Sequence, residues 1–276
     1  MSLSLDDIKY FITVSETENV TRASEILGIS QPALSYAIKR LERELGGDLL
    51  IRLKSGTKLT KLGEEFLKRS RKLIFNWEQA QNLANSESGH IEASYTFAIH
   101  PSVALYSLKE FLPSITKEYP DLDINFMHGL SREMTEKVIS WEADFGIVVN
   151  PVKHPDLVII KLCTDDVTIF HRAKSLKRLI FDENLLQSQT IIKKLKKSFS
   201  FDRQIKSANL EVIANLTSEG MGYGVLPTRV AKLHKGLIPL KGAPIFKDEI
   251  CLIYRPEKHK SIVSKKLIEL IRKSKI

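Results

Sequence analysis

Six side chains, Pro32, Ser35, Tyr36, Lys39, Arg40 and Arg43, fall on one side of a helical pattern at ~100° per residue. They present hydroxyl, phenol, ammonium and guanidinium groups, with acidic residues only at the edges of the face. These are the donors and acceptors that nucleic-acid base edges and phosphates require. The opposite side carries Leu34, Ile38, Leu41 and Leu45 at i, i+4, i+7 and i+11, one continuous apolar face that would pack inward. Many amphipathic surface helices have a basic polar face, so the segment before it matters. Val20, Ala23, Ile26 and Leu27 form a short helical pattern stopped at Gly28, which tolerates the positive φ of a helix-ending turn. Ser30 can cap the next helix, and Pro32 lies in its first turn, where a missing N–H is harmless. A helix, a tight turn and a second helix opened by Ser30-Gln31-Pro32 make a helix-turn-helix, whose second helix would enter a major groove N-terminus first.

The elements around this unit would hold it and pair it. Ile8, Phe11, Ile12 and Val14 predict an earlier helix. After Gly46-Gly47, residues 49–60 alternate and turn at Ser55-Gly56, a hairpin wing that would place Arg52, Lys54 and Lys58 beside flanking phosphates or the minor groove. From Lys61 to about Asn85 one long helix capped by Thr60 is expected. Phe66, Ser70, Leu73, Trp77, Ala80 and Ala84 recur along it at spacings of four and three, a seam suited to a second copy of the chain. Residues 85–89, Asn-Ser-Glu-Ser-Gly, form a polar break and the expected linker.

Beyond it, strands at Tyr95–Ile99, Leu122–Met127 and Phe145–Val149 alternate with helices at Val103–Lys117 and Arg132–Ser140, which predicts an α/β domain with a mostly parallel sheet. Further strands are expected at Val158–Leu162, Val167–His171, Gly222–Leu226 and Glu249–Tyr254, and helices at Asn209–Leu216 and Ile262–Lys273. Residues 172–206 give no clear pattern.

Whole-chain properties limit the function classes. The 276 residues suffice for about two domains, and 42 Lys/Arg against 33 Asp/Glu give a net charge of +9. That excess does not mark the helix-turn-helix, because residues 1–90 hold 13 Lys/Arg against 12 Asp/Glu. Asp6 and Asp7 stand where a secretory signal would be basic, and no apolar run is long enough to span a bilayer, which predicts a cytoplasmic protein without a membrane partner. Two cysteines, Cys163 and Cys251, allow no disulfide framework, and seven scattered histidines lack metal-ligand spacing. No convergent nucleophile, base and orienting partner is visible, so neither an enzyme nor a cofactor or metal site is expected.

The N-terminal residues resemble the LysR-type transcriptional regulators. Phe11, Ala23, Leu27, Ser30-Gln31-Pro32-Ala33-Leu34-Ser35, Ile38, Leu41-Glu42, Leu45-Gly46, Leu49-Leu50-Ile51-Arg52, Leu59-Thr60 and Gly63 carry the resemblance. Tyr119-Pro120-Asp121-Leu122, Glu142 to Ile147 and Gly220 to Pro227 extend it over nearly the whole chain. Ser24 replaces a usual alanine and Leu50 a usual phenylalanine, both packing changes, and the second effector subdomain is short.

The resemblance implies a winged helix-turn-helix over 1–60, a linker and dimerisation helix over 61–90, and an effector-binding domain over 91–276. That domain is expected to resemble a periplasmic binding protein, with one α/β subdomain at about 91–162 and 250–276 and another at about 163–249. DNA contact is implied for Thr21, Gln31, Pro32, Ser35 and Tyr36, with Lys39 and Arg40 neutralising phosphates and Arg52 and Lys54 working from the wing. Tyr36 is the residue expected to set sequence preference. A small, anionic effector is expected where helix N-termini meet strand ends, at His100-Pro101-Ser102, Gly129-Leu130-Ser131 and Asn150. Ser102 and Ser131 are expected to cap their helices. Implied partners are operator DNA, the effector, a second copy of the chain in a homodimer or homotetramer, and RNA polymerase. Cys163 and Cys251 fall near the two implied crossings between subdomains, where oxidation could join them; buried apolar thiols are the simpler expectation.

Overall fold

The computed structural model describes residues 4–53, 55–86, 94–195, 199–274 and 276, without the side chains of 78, 79, 81–86 and 260. The contacts gather into two units, Met1–Ala93 with Ser140–Glu142, and Ser94–Ile139 with Ala143–Ile276.

The first unit contains α1 (Leu5–Thr17), α2 (Val20–Leu27), α3 (Gln31–Leu45), the hairpin β1 (Leu50–Leu53) and β2 (Gly56–Leu59), and α4 (Lys61–Ser86). Each helix start has a local cause. Ser4 and Asp7 form a capping box on α1, the Asn19 side chain accepts from the Arg22 amide, and Ser30 Oγ accepts from the Ala33 amide. Gly28 ends α2 at φ 65°, a conformation that penalises any residue with a Cβ. Phe11, Val14, Ala23, Leu34, Ile38, Leu41 and Leu49 close into one core. Leu45 departs from the expected apolar face: it sits on the last turn of α3 and is exposed.

The wing is fastened at both ends. Glu42 on α3 accepts from the Leu49 and Leu50 amides at 2.9 and 3.2 Å. The Thr57 amide donates to Glu18 O at 2.7 Å, and a Cβ at Gly56 would stand 2.4 Å from that same oxygen. Lys54 lies outside the described residues.

Thr60 caps α4 through its hydroxyl, which accepts from the Gly63 amide at 2.9 Å. The helix runs through Asn85 and Ser86; residues 87–89 of the expected linker lie outside the described residues. The expected seam divides in two. Phe66 packs on Phe11 with ring centroids 5.3 Å apart and Ser70 is buried, whereas Leu73 and Trp77 are exposed. Phe66 and Ser70 therefore face their own domain, while Leu73 and Trp77 leave an apolar face open.

The second unit runs β3 (Ser94–Ile99), α5 (Pro101–Glu118), β4 (Asp123–His128), α6 (Ser131–Ile139), β5 (Phe145–Val149), β6 (Val158–His171), β7 (Arg178–Phe181), α7 (Leu186–Lys194), β8 (Arg203–Lys206), α8 (Leu210–Ser218), β9 (Tyr223–Pro227), α9 (Thr228–Lys232), β10 (Ile238–Pro239), β11 (Phe246–Tyr254) and α10 (Ile262–Lys273). Among the described residues these strands form a sheet in the order β4-β3-β5-β11-β6-β9-β7-β8, with β10 on β6. Parallel trios at each end, β4-β3-β5 and β8-β7-β9, are joined through the antiparallel strands β11 and β6. The sheet is thus mixed rather than mostly parallel. Each trio has its own core, one around Ala98, Val138, Val148 and Ile253, others around Ile180, Ile213 and Leu226 and around Ile169, Leu179 and Val225.

Two expected strands, Val158–Leu162 and Val167–His171, are one continuous strand, β6. The polar stretch Thr164-Asp165-Asp166 reads as an interruption locally, but pairing with β11 carries the strand through it. The unclear region 172–206 contains β7, α7 and β8. A register shift at Ile250/Cys251 makes Ile250 the partner of Cys163, and Cys251 the partner of Lys161. Cys163 thus shares a sheet face with Ile250, while Cys251, the next residue along β11, points to the other face and packs with Met134 and Val138. A disulfide between them would need the strands to rearrange.

Candidate functional site

Two surfaces concentrate chemistry, one in each unit. In the first, α3 buries Leu34, Ala37, Ile38 and Leu41 and leaves Gln31, Pro32, Tyr36, Lys39 and Arg43 exposed. Thr21 on α2 and Arg52 on the wing are exposed as well. Some of these side chains are already oriented. Gln31 Nε2 donates to Ser35 Oγ at 3.1 Å, and the Arg43 guanidinium lies 5.8 Å from the Tyr36 ring centre, at the edge of cation–π range. Tyr36 is 52% exposed, so its phenol is free to meet a partner.

Arg40, expected to neutralise phosphate, has a partner within its own unit. Its guanidinium forms a two-bond ion pair with the buried carboxylate of Asp7 in α1, bracing α1 against α3. Burial raises the Asp7 pKa, but the Arg40 guanidinium and the Ser4 contacts outweigh it and hold the carboxyl below its ordinary range. Arg40 is therefore paired with Asp7 while its side chain keeps some exposure.

In the second unit a cleft of about 750 Å³ opens where β3, β4, β5 and β7 end, within the range of small-molecule sites. Of the residues expected at an effector, His100, Ser102, Leu130, Ser131 and Asn150 line it, while Pro101 and Gly129 do not. Neither serine caps its helix. His100 is the N-cap of α5, and its Nδ1 accepts from the Ser102 amide at 3.3 Å. Ser131 is the first residue of α6, and its hydroxyl accepts from the Val149 amide at 3.0 Å, joining the helix to the end of β5.

This changes the expected anion site. Pro101 has no N–H, the Ser102 amide is bonded to the imidazole, and the Val103 and Ala104 amides donate to His100 O. The first turn of α5 has spent the donors that would bind an anion. Burial lowers the His100 pKa, with His128 adding to the fall and Asp182 opposing it.

The deepest charged groups of the cleft were not singled out in the sequence. Asp165 on β6 and Asp248 on β11 are directly opposite each other and both are buried. Asp248 accepts from Asn150 Nδ2 at 2.7 Å and Gln187 Nε2 at 3.3 Å; Asp165 accepts from the Arg229 amide at 3.2 Å. Burial pushes the Asp248 carboxyl up to about 6, against the Asn150 hydrogen bond and with Asp165 adding to the rise. Asp165 is also raised, chiefly by burial, against the Arg229 amide and guanidinium. No local signal marks them: both fall outside the strands the sequence predicts, and only the pairing of β6 with β11 brings them together. Arg132 and Lys153 also line the cleft and are exposed at its rim.

The sequence matches two family models, the bacterial regulatory helix-turn-helix protein of the lysR family over residues 5–64 and the LysR substrate binding domain over residues 88–275. The HTH-type transcriptional regulator CysL of Bacillus subtilis is 31% identical over 164 residues, 59% of this chain and 55% of that protein. The chain thus spans about half the length of the curated relatives it first matches. Full-length CbnR complexed with its target DNA shares the fold, with TM-score 0.62 and 20% identity over 98% of this chain and 99% of that one. LysG from Corynebacterium glutamicum, with bound effector Arg, does so at TM-score 0.67 and 14% identity over 98% and 96%. With both parts of the family architecture matched, one at the exposed α3 and the other around the cleft, the chain belongs to the LysR family of bacterial regulatory helix-turn-helix proteins.

Proposed function

We propose that this protein is a sequence-selective transcription regulator in which α3 reads DNA and a small molecule held in the cleft of the second unit controls binding or activation. The observation that carries the DNA half is the exposed face of α3, where Gln31, Pro32, Ser35, Tyr36 and Lys39 stand clear of the core that holds the helix. Thr21 and Arg52 supply flanking contacts, and Lys54 would add a wing cation. Phosphate contacts from Lys39 and Arg52 position the helix, and Tyr36 and its neighbours select among bases.

Two copies joined through the exposed apolar side of α4, at Leu73 and Trp77, set the spacing of two reading helices on a two-fold operator. CbnR shares this fold in complex with its target DNA, and LysG shares it with the effector Arg bound; each likeness supports one half of this assignment. The effector's anionic group finds its counter-charges at Arg132 and Lys153 on the rim of the cleft. RNA polymerase is the partner through which bound protein changes transcription.

Selection of duplexes from a random pool tests the DNA half. The full chain should enrich one motif with two related half-sites, and a chain lacking residues 1–90 should enrich none. Equal recovery of all sequences by the full chain would remove the proposal.

A further inference from the structure

The facing carboxylates in the cleft indicate which chemical class of effector fits. Asp165 and Asp248 occupy directly opposed positions on β6 and β11, where like charges destabilise a sheet. Both are more than nine-tenths buried, and neither is ion-paired with a cation among the described residues. The nearby Arg229 guanidinium is placed 5.6 Å from the centre of the Tyr106 ring, and it is the Arg229 main-chain amide that reaches Asp165. Lys161, on the same strand as Asp165, pairs with Glu249 instead. Two more polar groups wait in the same wall. Ser102 and Tyr106, one turn apart on α5, are each more than nine-tenths buried and line the cleft, and neither hydroxyl has a hydrogen-bond partner among the described residues.

A buried acidic pair and two unused hydroxyls form a site for hydrogen-bond donors with positive charge. Each carboxylate has about four acceptor positions, and Asn150, Gln187 and the Arg229 amide fill only part of that capacity. A divalent metal is a poorer fit, because no group of three or more His, Cys, Asp or Glu side chains able to hold one occurs among the described residues.

We propose that the effector carries a protonated nitrogen, an ammonium or guanidinium group, seated against the facing carboxylates of Asp165 and Asp248 and bonded to the Ser102–Tyr106 wall. With Arg132 and Lys153 at the rim, a molecule bearing an anionic group at its other end spans the cleft from acidic floor to basic mouth. This specification rests on the cleft being the effector site.

The test is a calorimetric screen of the full chain against primary amines, guanidines and α- and ω-amino acids, each matched to the carboxylic acid or hydrocarbon that lacks the nitrogen. At least one nitrogen-bearing compound should bind while its matched partner does not. Asp165→Asn and Asp248→Asn, each checked for folding by circular dichroism, should weaken that binding by about tenfold or more, the loss of a charge-assisted hydrogen bond. The proposal is overturned if no nitrogen-bearing compound binds, or if the bound amine is held equally well by both Asn variants. Carboxylic acids that bind without a nitrogen and are weakened by Ser102→Ala would remove the charge assignment and leave the cleft as effector site. Binding indifferent to every one of these cleft substitutions would remove the cleft as well.

Discussion

At the scale of single residues, α3 divides work among neighbours that look alike in sequence. Tyr36, Lys39 and Arg40 all lie on its polar side, yet Tyr36 and Lys39 are exposed and Arg40 is tied to Asp7. Tyr36→Ala is therefore expected to change which duplexes are selected. Lys39→Ala should weaken all duplexes alike and reduce the slope of log K against log salt by about 1. If both substitutions only lower affinity uniformly, readout does not lie at Tyr36. Arg40→Ala acts differently: it leaves the Asp7 carboxylate buried without its partner and should lower the melting temperature of the first unit. Because Arg40 depresses the Asp7 pKa, the stability it contributes is present above the ordinary carboxyl pKa and is lost as pH falls through the depressed one. Asp248 has the opposite sign. Its pKa is raised to about 6, so the folded chain holds that proton more tightly than the unfolded chain does. Stability should fall as pH rises from about 4 to about 6, by up to about 3 kcal/mol. Asp248→Asn should flatten that dependence in chemical denaturation, and an unchanged profile would show that the carboxyl is not strained.

At the scale of elements, what was legible depended on the range of the interactions. The helix-turn-helix could be read because its signals are local: Gly28 ends α2 at positive φ, Ser30 caps α3, and the leucines repeat at helical spacing. The parallel strands near residues 95, 123 and 145 were equally visible as apolar runs between helices. Long-range pairing was not. Nothing near Arg40 announces Asp7, and nothing near Asp165 announces Asp248; register across β6 and β11 creates the acidic floor of the cleft. The same pairing carries β6 through a polar stretch that, read locally, looks like a gap. The seam on α4 was half legible, because periodicity shows an apolar face and not what covers it. Phe66 meets Phe11, while Leu73 and Trp77 stay exposed. Replacing Leu73 and Trp77 with glutamate should convert the assembly to monomers in sedimentation and leave the helical signal of the fold intact. A dimer that survives both changes would place the interface elsewhere.

At the scale of the whole molecule, the helix-turn-helix unit and the unit matched by the LysR substrate binding domain belong to one chain, and the proposed regulation requires that a ligand at one alter the equilibrium at the other. By linkage, an effector that changes DNA affinity must have its own affinity changed by DNA to the same degree. Calorimetry of the effector with and without bound operator should show that reciprocity. Sequence-selective DNA binding through α3 can be measured by titrating the full chain onto its selected duplex and a scrambled one across a salt series. Log K should fall linearly with log salt for both duplexes, with about 10³-fold or more tighter binding to the selected one at physiological salt. Equal affinity for the two duplexes at every salt concentration would contradict selective binding.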